Sequence, residues 1–263
     1  MDDLLLNCNK TLKTMLCCHD GKLVCDCYTC LHNGFHKGSD SYECEKKMSY
    51  YVCNYGPAYS SELYHYFEKS QILEKISSHK SNVKILSLGS GFAPDLVAIS
   101  KYIENKAISI NYTYHGIDLS TKWNNSRYNN KYATFSTGDV LSTINLENYD
   151  LVFIVKLFST LNKIKKHLIF RKILINAISS QMLSDSVLVF CDINSRYEGR
   201  DSFDTIVHKE FSAVRRYCFK NNTYTPTNCT VIQNTNIVFN IPKGLKISPL
   251  MNTTNVVCFE YTK

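Results

Sequence analysis

The chain of 263 residues contains no long hydrophobic run. Its cleanest apolar stretch, "LVFIV" at 151–155, stops at Lys156, well short of the roughly 20 apolar residues that cross a bilayer. No membrane partner is expected. The opening "MDDLLLNCNK" has acidic residues where a secretory leader carries positive charge, so the chain reads as cytoplasmic. Acid is scarcer than base, with 23 Asp and Glu against 30 Lys and Arg, for a net charge of +7 and an isoelectric point near 8.7. Such an excess either favours an anionic partner through counterion release or merely keeps a soluble protein dispersed. Proline and glycine are few, 5 and 10 residues, which makes the pair Gly89 and Gly91 in "ILSLGSGFAPDLVAI" conspicuous.

Cysteine is plentiful and unevenly spread: of 12, eight fall within residues 1–53. "CCHDGKLVCDCYTCLHNGFH" gathers Cys17, Cys18, Cys25, Cys27, Cys30, His32 and His36, and Cys27-x-x-Cys30 has the spacing that brings two thiolates to one tetrahedral ion. In a reducing compartment this cluster points to Zn2+ of structural role, with an iron–sulfur cluster as the alternative. More candidates are present than one ion needs, and the choice among them stays open. The division predicted is a Cys/His-rich module over 1–56 and a larger domain over 57–263. Ser60 and Ser61 suggest the start of a helix running to Ser77, and the tyrosines at 50, 51, 55, 59, 64 and 66 either lid a ligand or pack between the two modules.

From residue 83 strands and helices alternate: "VKILSLG", "PDLVAISKYIEN", "ISINYTYHGIDLS", a weak helix in "TKWNNSRYNN", "YATFSTGD", "YDLVFIV", a helix over 161–183 and "SVLVFCDI". With "CTVIQNTNIVFNI" and "NVVCFEYTK" this predicts a doubly wound α/β fold, a mostly parallel seven-stranded sheet with helices on both faces. A strand, a glycine turn and a helix start expose backbone N–H groups at the sheet's carboxyl edge, where ligands of open α/β folds bind. Asp118 ends the second strand, 27 residues beyond Gly91, where a carboxylate accepts bonds from both ribose hydroxyls of a nucleoside. Asp139 in "STGDV" follows the third strand, placed to meet an adenine amino group.

Together "ILSLGSG", "HGIDLS", "STGDV" and "DLVFIV" resemble the motifs of class I S-adenosylmethionine-dependent methyltransferases, over 83 to about 192. Ser87 stands where that family usually has an acid and Ala93 where it has a third glycine, with Asp95 a partial substitute for the acid. The resemblance implies S-adenosylmethionine as cofactor, held by Ser87, Gly89, Ser90, Gly91, Asp95, Asp118, Leu119, Gly138, Asp139 and Val140. A nicotinamide dinucleotide is the rival, but its fingerprint needs Gly or Ala where this chain has Pro94.

The acceptor would be framed by the loops after the fourth and fifth strands, which offer Lys156, Asp192 and Arg196 as catalytic candidates, beside Asn194, Arg200 and Asp201. The Asn/Asp-Pro-Pro-Tyr/Phe motif of exocyclic base methylation is missing from both loops. Lys163, Lys165, Lys166, Arg171 and Lys172, with Arg215 and Arg216, compose a basic surface that suits a nucleic-acid acceptor, RNA before DNA. The alternatives are a small-molecule or peptide methyltransferase and a non-catalytic zinc-containing binding protein.

Overall fold

The computed structural model describes residues 1–16, 26–31, 44–220 and 228–263. Helix α1 (Asp2–Thr14) is followed by a helical turn over 27–31 (α2), the long α3 (Glu45–Ser70) and the short α4 (Ile72–Ser77). Then come β1 (Val83–Leu88), α5 (Pro94–Lys106), β2 (Tyr112–Asp118), β3 (Ala133–Thr137), β4 (Leu151–Val155), α6 (Leu157–Lys163), α7 (His167–Gln181) and β5 (Val187–Ile193). Helix α8 (Arg200–Val207) and strands β6 (Ala213–Phe219), β7 (Cys229–Ile232) and β8 (Val256–Thr262) complete the chain.

The sheet has eight strands in the order β3-β2-β1-β4-β5-β8-β6-β7. Strands β1 to β5 are mutually parallel, whereas β8 runs antiparallel to β5 and β6. The predicted count of seven is therefore corrected to eight, in a mixed sheet. The additional strand is β6, whose "AVRRYCF" looks too charged for a sheet, but Arg215 pairs with Glu260 at 2.9 Å and Arg216 with Asp204 at 2.9 Å. Neutralising both guanidinium groups lets a strand carry them.

Strand β4 explains the apolar run at 151–155. Leu151, Phe153 and Val155 face a core shared with Leu63, Phe67 and Ile99, while Val152 and Ile154 face a second core with Phe158, Phe190 and Phe203. A parallel strand covered on both sides has no polar face to show. A third cluster joins Leu5, Cys8 and Leu12 of α1 to Met48, Val52 and Cys53 of α3 and to Phe92 and Trp123.

Two helices differ from their predicted extents. Helix α3 starts at Glu45, not at Ser60, and continues through Gly56–Pro57, so the expected boundary at 56/57 falls inside it. Ser60 and Ser61 are buried mid-helix, and the break comes at Gln71, in the left-handed region at φ 53°. The helix expected over 161–183 is two helices, divided where Lys165 takes φ 59°. The weak helix of "TKWNNSRYNN" is a 3-10 turn over Thr121–Asn125.

Of the predicted metal ligands, Cys17, Cys18, Cys25, His32 and His36 lie outside the described residues. Cys27 is buried and Cys30 half-buried in α2. Among the described residues no group of three or more His, Cys, Asp or Glu is placed to hold a metal ion.

Candidate active site

The chain leaves β1 through Gly89 at φ +65° and Gly91 at φ +50°, and enters α5 behind Pro94, whose missing N–H is no loss in a first helical turn. Ala93 is itself left-handed at φ 63°, a conformation that glycine adopts more readily than alanine. A Cβ on Gly89 would stand 2.7 Å from Leu157 Cδ1, so the turn and the start of α6 nearly touch. Between them opens a cavity lined by Gly89, Ser90, Gly91, Asp118, Leu119, Gly138, Asp139 and Val140. The structure thus brings these predicted cofactor residues to one wall, at the carboxyl ends of β1, β2 and β3.

Asp118 organises that wall. Its Oδ2 accepts the Gly91 N–H at 2.8 Å and its Oδ1 the Ser120 N–H at 3.0 Å, and Trp123 adds a side-chain hydrogen bond. Burial pushes the Asp118 carboxyl up, while these donors and the nearby Arg127 charge pull it down, and burial prevails. Arg127 donates from Nε to the Gly91 carbonyl at 2.9 Å and lies 4.5 Å over the Phe135 ring. Each carboxylate oxygen accepts more than one bond, so Asp118 retains capacity for a ligand hydroxyl. Asp139 is exposed and turns Oδ1 to the Leu141 N–H at 2.8 Å. Leu119, 66% exposed, offers bare apolar surface beside it.

Ser87 and Asp95 do not line the cavity. Both are buried behind the turn, where Asp95 accepts from the Tyr114 hydroxyl at 3.0 Å and from Ser87. Burial raises the Asp95 carboxyl to about 6 against those bonds. Placed in the first turn of α5, Asp95 faces the sheet, so it braces the turn from inside and has no route to a ligand.

The opposite wall comes from α3 and α6. Tyr51 and Tyr59, one helical turn apart twice over, face the cavity with Phe92 and Trp123. Tyr55 stacks on Tyr59 at 5.4 Å, and Tyr51 meets Trp123 edge-on at 6.0 Å. Tyr64 and Tyr66 pack in the core against the sheet. Leu157, Thr160, Leu161 and Ile164 complete an apolar side.

Lys156 lines the cavity, held at φ 55° at the end of β4. Its ammonium lies 3.0 Å from Glu62 Oε2 and 4.5 Å from the centre of the Tyr59 ring. Burial works against the charge, but Glu62, with Tyr59, outweighs it and holds the amine above its usual range. A lysine so held stays cationic and is no general base. Asp192 is buried away from the cavity: its Oδ2 accepts the Ser159 N–H at 3.0 Å and caps α6, because β5 ends directly below that helix start. Arg196 is exposed and lies 4.7 Å over the Tyr197 ring, outside the cavity lining. Arg200 is spent on Asp201 and Asn194. The expected catalytic set of Asp192, Lys156 and Arg196 is therefore not assembled, and only Lys156 reaches the cavity.

The motifs do not single out Glu62, Trp123 or Arg127. Trp123 has a signal in being the sole tryptophan, and Glu62 lies one turn beyond Tyr59 on the same helix, but nothing marks Arg127.

No family model and no curated protein sequence matches the chain. Solved structures do. The plantazolicin methyltransferase BpumL in complex with SAH is similar with a TM-score of 0.51 at 13% identity, over 89% of this chain and 96% of that one. The N-methyltransferase NodS from Bradyrhizobium japonicum WM9 gives 0.45 at 11%, over 91% and 99%. A TehB-like SAM-dependent methyltransferase from Corynebacterium glutamicum gives 0.41 at 14%, over 79% and 99%. The likeness to BpumL shows the fold, a Rossmann-like α/β sheet flanked by helices.

Proposed function

We propose that the protein is an S-adenosylmethionine-dependent methyltransferase acting on a small or peptide-sized acceptor with an apolar portion. The observation that carries the cofactor reading is Asp118, fixed by Gly91 and Ser120 at the end of β2 and opening on the glycine turn. The fit of the wall supports it: Ser90 lines the cavity, its buried Oγ has no hydrogen-bond partner among the described residues, and Leu119 is bare. When bound, S-adenosylmethionine supplies a methyl group on a sulfonium. Asp118 and Ser90 would hold its polar parts, Leu119 and Val140 its base, and Asp139 the edge of that base. The chain's own contribution is to orient the acceptor and exclude water, the chief requirement of an in-line displacement. Tyr51, Tyr59, Leu157, Leu161 and Ile164 form a wall suited to both tasks.

A nucleic-acid acceptor draws less support. Of the basic residues that suggested it, Arg215 and Arg216 are ion-paired, Arg171 donates to Ser202 and Lys163 lies 3.9 Å from Glu198. Titration calorimetry with S-adenosylmethionine and S-adenosylhomocysteine tests the cofactor: Asp118→Ala should weaken both by roughly 1.5 to 3 kcal/mol, the value of hydrogen bonds to a charged group. Unchanged affinity, or none in the unaltered protein, removes the reading. Acceptor class is tested by methyl incorporation in lysate, where nuclease treatment should leave the signal intact.

A further inference from the structure

Helix α7 has more apolar surface than its packing uses. Phe170, Leu174, Ala177 and Ile178 form the buried stripe, and at 3.6 residues per turn Leu168, Ile169 and Lys172 fall on the opposite side. Leu168 is 52% exposed and Ile169 54%. Around them Lys165, Lys166 and Lys172 are exposed as well, with no carboxylate partner among the described residues. Lys166 also lines the cavity, as does Ile164 two residues earlier, so this corner between α6 and α7 sits at the cavity mouth. Leu119 is equally bare, but a bound base would cover it; nothing in the site covers Leu168 or Ile169.

The pairing of chemistries narrows the partner. Two aliphatic side chains are far too little for a stable protein interface, which takes about 800 Å² from each partner. A nucleic acid would satisfy the lysines and leave Leu168 and Ile169 in water. An anionic bilayer surface meets both needs: lipid phosphates and carboxylates take the ammonium groups, and the acyl boundary, about 5 to 10 Å deep, takes the aliphatic pair. No described helix is long and apolar enough to cross a membrane, so the contact is interfacial. We propose that the α6–α7 corner, through Leu168, Ile169, Lys165, Lys166 and Lys172, docks the protein on anionic lipid surfaces with the cavity mouth turned toward them.

Cosedimentation of the full chain with phosphatidylcholine vesicles, with and without phosphatidylserine, tests this and needs no cofactor, so it stands apart from the methyl-transfer reading. Binding should require phosphatidylserine and weaken as salt rises. Leu168→Asp with Ile169→Asp should reduce partitioning at least about tenfold, since the acyl boundary is lost and negative charge added. Lys165→Gln with Lys172→Gln should erase the phosphatidylserine dependence while leaving the aliphatic pair intact. Thermal melting of both variants should match the unaltered protein, because the changed side chains are exposed. Absence of vesicle binding overturns the proposal. So does binding indifferent to the aspartate pair, or retention of the protein on RNA that the aspartate pair leaves unchanged while vesicles bind nothing.

Discussion

Asp95 illustrates how a residue can be found in sequence and misread in role. Its place after a degenerate glycine motif makes it a natural substitute for the acid that Ser87 replaces, but a helix start directs the two residues to the same buried network with Tyr114. What the sequence hides is direction, which depends on how α5 is rotated against the sheet. The buried carboxyl has a pH consequence. Its folded value, about 6, lies above the usual 3.8, so across that interval the unfolded chain has lost the proton while the folded one keeps it. Stability therefore falls as pH rises from 3.8 to about 6 and stays low above. The interval is worth about 3 kcal/mol. Asp95→Asn, which cannot ionise and still accepts from Tyr114, should flatten that decline and gain up to about 3 kcal/mol at neutral pH in urea denaturation. Parallel pH profiles for the two proteins would show that Asp95 does not carry the effect. Asp118 is the converse case: its position at the end of β2 is legible from the strand pattern, whereas its donors come from the glycine turn (Gly91) and from the turn after β2 (Ser120 and Trp123), which the fold brings together.

Elements were legible wherever the hydrophobic period matched a single environment. Strands β1, β2, β4 and β5 and helix α5 satisfy that condition; β6 does not, because its arginines are neutralised by Asp204 and Glu260 on other elements. Helix α3 is obscured by Gly56–Pro57, which reads as a stop although Tyr51, Tyr55 and Tyr59 keep helical spacing through it. The close approach of Gly89 to Leu157 yields a prediction at this scale. Gly89→Ala meets two costs: a left-handed backbone, roughly 1 to 2 kcal/mol for an L residue, and a methyl 2.7 Å from Leu157 Cδ1. The backbone cost falls on stability. The overlap is relieved by moving the flexible leucine tip into the cavity, so it falls on the cofactor. Calorimetry should find S-adenosylhomocysteine affinity reduced in Gly89→Ala and largely regained in Gly89→Ala with Leu157→Ala, while the melting temperature stays depressed in both. Equal affinity loss in the single and double variants would mean the backbone, not the leucine, controls the cavity.

Across the whole molecule, one buried ion pair joins parts that are distant in sequence. Glu62 on α3 meets Lys156 at the end of β4 at 3.0 Å, and its other oxygen accepts from the Thr254 N–H at 2.7 Å and from the Thr254 hydroxyl, just before β8. The Glu62 side chain is 0% exposed and that of Lys156 8%. Helix α3 is thereby fastened to the sheet at the point where its tyrosines wall the cavity. Breaking such a pair costs more than the pair contributes, because the surviving charge stays buried without its counterion, at about 3 to 5 kcal/mol. Glu62→Gln retains the shape and an oxygen for Thr254 but removes the countercharge of Lys156, so its loss in urea denaturation should fall in that range. Lys156→Met leaves the carboxylate with only the Thr254 donors and should lose a similar amount. In the double variant no buried charge remains and methionine fills the lysine's path, so most of the loss should be recovered, a coupling of at least about 2 kcal/mol. Additive single losses would sink the idea that the pair acts as a unit. If the double variant is stable yet binds S-adenosylhomocysteine normally and transfers no methyl group, the cation itself, held in the cavity by Glu62 and Tyr59, acts on the acceptor.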